Sequence, residues 1–292
     1  MPSREFHELM VQARANPIDL KRSLTELRQG FDAMGLSFTP PEDASFEEVS
    51  ASGVRAEWVR VPESTKSAVL LYLHGGRYTM GSTKAYRGFR CAARQRGGQT
   101  RALSIDYRLA PEHPYPAAID DIVKSYKWLL AQHVDPARRV IIAGDSAGGG
   151  LTLATLLELR EKGITLPAAA VCLSPSTDLA QTGEFITSKA ADDIFLTSPL
   201  LDFCYGNFLG PDGDPTNPFV SPLYPDLTGL PPLLVMVGTA EILLEDSIRL
   251  AAKAEAAGVD VDLVIGEEMF HVWPFFAVKN HRNLCSTEGP NT

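Results

Sequence analysis

Cysteine is scarce in this sequence. Four residues in 292 (Cys91, Cys172, Cys204 and Cys285) form no C-x-x-C pair, and no His stands at metal-ligand spacing. A disulfide-stapled scaffold is thereby excluded, no metal is expected, and the thiols are expected to be free and buried. No apolar stretch reaches the roughly 18 residues that would signal a membrane span. Residues 1–16 carry Arg4, Glu5, Glu8 and Arg14 without the apolar centre of a signal peptide. Lys and Arg form no run, and at 27 against 36 Asp and Glu they leave a net charge of −9, so nucleic acid is not an expected partner. Reduced thiols and the lack of a leader make the cytoplasm the expected setting.

What is present describes one globular body. The composition is 45% hydrophobic and 22% charged, and a chain this long buries enough surface to need no covalent staple. Phe6, Leu9, Met10 and Ala13 recur at helical spacing, and so do Leu20, Leu24, Leu27, Phe31 and Met34, which predicts two amphipathic helices ahead of any strand. From residue 46, β-rich runs alternate with helix-length segments. Strands are predicted over 46–49, 54–61, 68–73, 102–106, 140–143, 169–174, 233–237 and 259–265, and helices over 85–96, 116–132, 148–162 and 244–257. This alternation, with inner strands apolar throughout, predicts a mostly parallel sheet covered by helices on both faces. A proline-rich stretch from 179 to 231 interrupts it, far longer than an ordinary connection. Within it residues 199–209 predict a helix with Leu200, Phe203, Cys204 and Phe208 on one side. Insertions of this kind commonly serve as lids or binding loops.

Arg139-Val-Ile-Ile-Ala-Gly144-Asp145-Ser146-Ala147-Gly148-Gly149-Gly150 runs an apolar strand straight into a G-x-S-x-G pentapeptide and then a helix. A serine projected from a sharp strand-to-helix turn needs almost no side chain at either flank, and Gly144 and Gly148 meet that need. The amide of Ala147 then lies at a helix N-terminus, where developing negative charge is favoured. A phosphate-binding glycine loop is the competing reading. It fails because no Lys follows as in a Walker loop and the G-x-G-x-x-G spacing is absent.

Five segments in order complete a pattern: His74-Gly75-Gly76-Arg77 after the third strand, Asp106 to Ala117 with its Y-R-L-A-P-E stretch, the serine pentapeptide, Leu230 to Gly238, and Met269-Phe-His-Val-Trp273. Over about residues 50 to 276 the chain resembles the hormone-sensitive-lipase-like (bacterial family IV) carboxylesterases of the α/β-hydrolase superfamily. The resemblance implies an oxyanion hole from the amides of Gly75, Gly76 and Ala147, and a triad in chain order Ser, acid, His. Ser146 is then the nucleophile. Of six histidines only His271 and His281 lie late enough to be the base, and His271 follows a strand whose C-terminal end faces the pentapeptide. Among Glu241, Glu245 and Asp246, Glu241 stands at the matching position for the acid, whereas Asp246 reads as a helix N-terminal acid favoured by the macrodipole.

Arg77 departs from the family, which usually has a third Gly there. Its side chain is expected to narrow or charge the pocket, with a conformational cost if φ is positive. His74 is expected to hold the loop, Asp145 to accept hydrogen bonds, and Tyr107, Arg108 and Glu112 to stitch the loop after the fourth strand to the core. Phe203, Tyr205 and Phe208 are expected either to line an acyl pocket or to pack cap against core.

The function implied is hydrolysis of short-to-medium acyl esters through a Ser146–His271–Glu241 triad and an acyl-enzyme, with no cofactor and a small-molecule ester as partner. Residues 1–45 and 179–218 are expected to form a helical cap over a catalytic core of 46–178 and 219–292. A homodimer stays open, and so do a non-catalytic binding protein on the same fold and an amidase or lactonase using the same triad. Residues 279–292 are polar and lack the periodicity of the closing helix that the family usually has.

Overall fold

A computed structural model of the chain describes residues 4–16, 18–19, 21–62, 64–88, 100–132, 135 and 139–278. The eight strands are β1 (Ser45–Ala51), β2 (Val54–Arg60), β3 (Thr65–Leu73), β4 (Thr100–Ile105), β5 (Val140–Asp145), β6 (Ala169–Leu173), β7 (Leu233–Gly238) and β8 (Val261–Gly266). They form one sheet in the order β1-β2-β4-β3-β5-β6-β7-β8. β2 runs antiparallel to β1 and β4, and every other pairing is parallel. β1 and β2 join through Ser52 and Gly53, both at positive φ (54° and 87°), as a two-residue hairpin turn requires.

Residue alternation on the central strands sets the two faces. Leu71 and Leu73 of β3 join Ile142 and the helices α3 (Ala117–Ala131) and α4 (Ala147–Glu161) in one core. Between them Tyr72 points the other way, into a cluster with Ala143, Leu173, Phe270, Phe275 and Phe276. α4 is buried on nearly all sides, from Ala147 to Leu159, as suits a helix lying beneath the sheet's centre.

The N-terminal helices are α1 (Arg4–Ala15) and α2 (Leu24–Leu36). Ser23 and Glu26 close a reciprocal capping box on α2. Arg28 of α2 grips both carboxylate oxygens of Glu112 and the carbonyls of Thr79 and Ala110, tying this helix to the loops beyond β3 and β4. Residues 179–231 contain no strand, as expected; they hold α5 (Phe185–Ser188) and α6 (Ser198–Leu209). α6 buries Leu200, Leu201, Cys204, Tyr205 and Phe208. Phe203, expected on that face, is 44% exposed, because the buried stripe follows the i, i+4 rows through 200–204–208 and 201–205.

α7 (Leu244–Ala256) packs on β7 and β8, and a 3₁₀ turn covers Trp273–Val278. The helix expected over 85–96 lies mostly outside the described residues, as do Cys91, Cys285 and the polar tail. Cys172 and Cys204 are free and buried. Among the described residues no helix is long and apolar enough to cross a membrane.

Candidate active site

Ser146 occupies the single turn residue between β5 and α4, at φ 54° and ψ −120°. A non-glycine residue held there stores backbone strain on the order of 1–3 kcal/mol. The surroundings leave it no alternative. A Cβ on Gly144 would come within 2.2 Å of the Gly148 carbonyl oxygen, and one on Gly148 within 2.1 Å of the Leu73 carbonyl oxygen. The turn is pinned as well, because the Ser146 amide donates to Leu173 O (2.7 Å) while its carbonyl accepts from Ser176 and Gly150 (both 3.1 Å).

Asp145, next in the chain, is 2% exposed and accepts from Tyr72 Oη (2.6 Å), Tyr86 Oη (2.9 Å) and the Gly75 amide (2.9 Å). Burial pushes its pKa up to about 6, against the pull of these donors and of His271. Asp145 is thus the acceptor expected of it, and it locks the glycine loop to the strand that carries Ser146. The expectation for Gly75 changes with this. Its N–H is committed to Asp145, whereas no hydrogen bond among the described residues engages the amides of Gly76 and Arg77, which line a cavity with Ser146, or that of Ala147 at the start of α4.

The loop itself is tightly wound, with φ of 114° at Gly76, 56° at Arg77 and 64° at Tyr78. His74 braces it as expected: Nδ1 meets the Gly75 carbonyl at 2.7 Å and the ring stacks on Tyr107 at 4.4 Å, while Tyr107 Oη donates to His74 O. Arg108 holds Asp121 of α3 through a forked pair of bonds (2.8 and 2.9 Å). Tyr78 stacks on Phe208 at 4.0 Å and meets Tyr205 edge-on at 6.0 Å, so Tyr205 and Phe208 pack α6 against the loop after β3, and neither lines the cavity.

At the other side of the site, the chain leaving β7 presents Glu241 and the chain leaving β8 presents His271. His271 Nδ1 lies 2.7 Å from Glu241 Oε2, with both residues buried. Glu241 Oε1 accepts from the Gly238 amide (2.6 Å) and from Ser174 Oγ (2.8 Å). Ser174 also accepts from the Val272 amide at 3.0 Å, so one hydroxyl fixes the acid and the loop bearing the imidazole. Sequence reasoning missed Ser174. Its signal was its place at the crest of β6, between β5 and β7, which only the strand order reveals.

Asp246, the competing acid, is 2% exposed and accepts from the amides of Thr177 (2.8 Å) and Asp178 (3.0 Å), away from His271. It lies in the first turn of α7, as expected, and from there holds the loop after β6, and burial pushes its pKa up to about 7. Glu245 accepts from the Phe185 amide.

Ser146, Asp145, His271, Gly76 and Arg77 all line one cavity of about 480 Å³. α1 contributes Gln12 and Ala13 to its wall, α2 contributes Leu27, Phe31 and Met34, the chain between them contributes Asn16, Asp19 and Arg22, and Ile194, Phe195, Phe275 and Phe276 line it as well. Among the described residues no group of three His, Cys, Asp or Glu side chains is placed to hold a metal ion. A buried serine hydroxyl, an imidazole oriented by a carboxylate and unengaged amides around one apolar cavity together suit nucleophilic acyl transfer.

Comparison with known proteins agrees. A family model described as the alpha/beta hydrolase fold matches residues 70–275. An acetyl-hydrolase of Streptomyces hygroscopicus is 41% identical over 94% of this chain and 88% of its own. An esterase of Acinetobacter venetianus is 34% identical over 92% of this chain and 90% of its own. The crystal structure of an esterase from the bacterial hormone-sensitive lipase family superposes with a TM-score of 0.89 at 40% identity, covering 95% of this chain and 93% of that one. With the serine turn, the glycine loop and this likeness over nearly its whole length, the chain belongs to the hormone-sensitive-lipase-like esterases of the α/β-hydrolase fold.

Proposed function

We propose that the chain is a serine carboxylesterase acting on short-to-medium acyl esters through Ser146, His271 and Glu241. The observation that carries this reading is the buried 2.7 Å contact of Glu241 with His271 on the cavity that Ser146 also lines. Glu241 accepts a hydrogen bond from Nδ1–H and so leaves Nε2 of His271 as the base. Nε2 takes the Ser146 proton as Oγ attacks the ester carbonyl. The tetrahedral oxyanion is held by the amides of Gly76, Arg77 and Ala147, with Arg77 in the part first expected of Gly75. As the C–O bond breaks, His271 returns the proton to the departing alcohol. A water molecule, deprotonated by the same imidazole, then releases the acid from the acyl-enzyme.

Helices α1 and α2 with residues 179–218 act as the cap. In support, Ala13, Phe31 and Phe195 wall the cavity. An acyl chain of modest length suits a space of about 480 Å³. A cytoplasmic setting and a homodimer complete the proposal. The test is hydrolysis of p-nitrophenyl acetate and butyrate. Turnover is expected in the folded wild type and a loss of about 10⁴-fold or more in Ser146→Ala. A correctly folded wild type without turnover overturns the esterase mechanism and leaves a binding protein.

A further inference from the structure

Arg77 carries a feature that ester hydrolysis as such does not use. The residue lines the cavity with Ser146 and His271, yet it is 6% exposed. Nη2 donates to the Phe195 carbonyl at 2.8 Å, and Nε is buried without any acceptor. A guanidinium has five N–H groups, and among the described residues this is the one hydrogen bond that engages them, with no carboxylate at ion-pair distance. Asp193, whose charge acts on Arg77, already accepts from the amides of Phe195, Leu196 and Ile242. The carboxylate in the wall near the serine, Asp145, already accepts from two tyrosines and Gly75. Burial opposes the charge, but an arginine keeps its proton in proteins.

Tethering one neutral carbonyl does not call for a buried cation, and a positive φ makes arginine an unfavourable choice at this position. Glycine would relieve both costs. Apart from Gln12, Asn16, Asp19 and Arg22, all exposed, the remaining wall is largely apolar, so an anion entering there meets one buried guanidinium beside the serine.

We propose that Arg77 reads a carboxylate on the substrate, so that the preferred esters are those of carboxylate-bearing compounds. This deepens the esterase reading and rests on it. The carboxylate lies on either the acyl or the alcohol portion, and two matched pairs distinguish them. For the acyl side, kcat/KM is compared for the mono-p-nitrophenyl ester of glutaric acid and for p-nitrophenyl valerate. For the alcohol side, 4-acetoxybutanoate is compared with butyl acetate by proton release.

In one pair the ratio of charged to neutral substrate is expected to fall about tenfold or more in Arg77→Gly and in Arg77→Gln, with Arg77→Lys keeping part of it. Arg77→Gly relieves the backbone at φ 56°, and its melting temperature verifies that it folds. Equal ratios in wild type and both variants, for both pairs, overturn the proposal even while p-nitrophenyl butyrate is hydrolysed. Failure of the wild type on every ester overturns the esterase reading instead.

Discussion

The two sides of the site are built by opposite means. On the side of β5, position comes from side chains that are missing: Gly144 and Gly148 let strand, turn and helix meet at distances that no Cβ survives. On the side of β7 and β8, position comes from side chains that are present, with Glu241, Ser174 and His271 joined by short hydrogen bonds between three separate loops. A steric device tolerates nothing added. A hydrogen-bonded one can be dismantled one group at a time, and the two sides should therefore fail differently.

The largest effect is expected from Gly148→Ala. The new Cβ falls 2.1 Å from Leu73 O and 2.7 Å from His74 O, both rigid backbone. A loss of about 3 kcal/mol or more is expected, read as a drop in soluble yield and melting temperature together with all activity. Glu241→Gln should leave the fold intact while turnover falls on the order of 10³–10⁴-fold, because the amide no longer fixes the imidazole tautomer. Asp246→Asn should change turnover far less. The reverse result would transfer the acid's role to Asp246.

Ser174→Ala breaks the same corner more gently. Glu241 keeps the Gly238 amide and His271, so turnover is expected to fall roughly tenfold, with KM little altered. Smallest is a dependence of stability on pH. Asp145 and Asp246 hold their protons more tightly in the folded state, to about pH 6 and about pH 7. Their contribution is full below about pH 4, the carboxylate's unfolded value, and is lost as pH rises through those values. Urea midpoints should thus decline between pH 4.5 and 7.5 by an amount that Asp145→Asn reduces. Equal slopes in variant and wild type would count against Asp145 as a source.

The contrast also explains what could be read beforehand. The β5 side is local, one strand and one helix within a dozen residues, and glycines at fixed offsets announce it. The inner strands were legible for a similar reason, since continuous apolar runs mark strands buried on both faces. Glu241 and His271 were chosen at a distance with the help of chain order, and the contact between them is present. Ser174 was invisible because its role depends on β6 lying between β5 and β7, a neighbourhood that no local pattern encodes. Gly75 misled because a glycine next to the loop's histidine offers an amide without revealing its direction, which Asp145 sets. For the α6 aromatics both lining and packing were open, and Tyr205 and Phe208 pack, whereas Phe195, Phe275 and Phe276 line the cavity from segments that lack helical or strand periodicity.

The ring of Phe38, just beyond α2, meets that of Phe276 edge-on at 5.5 Å, and Phe31 of α2 meets Tyr86 at 6.3 Å. In a chain made from its N-terminus, the first of these partners emerges roughly 240 residues after Phe38. At ribosomal speed Phe38 therefore waits about 10–50 s for Phe276, whereas Tyr86 follows Phe31 by roughly 55 residues. α2 is thus seated early by one contact and late by the other, and the cavity wall is finished only when the aromatic turn after His271 has arrived.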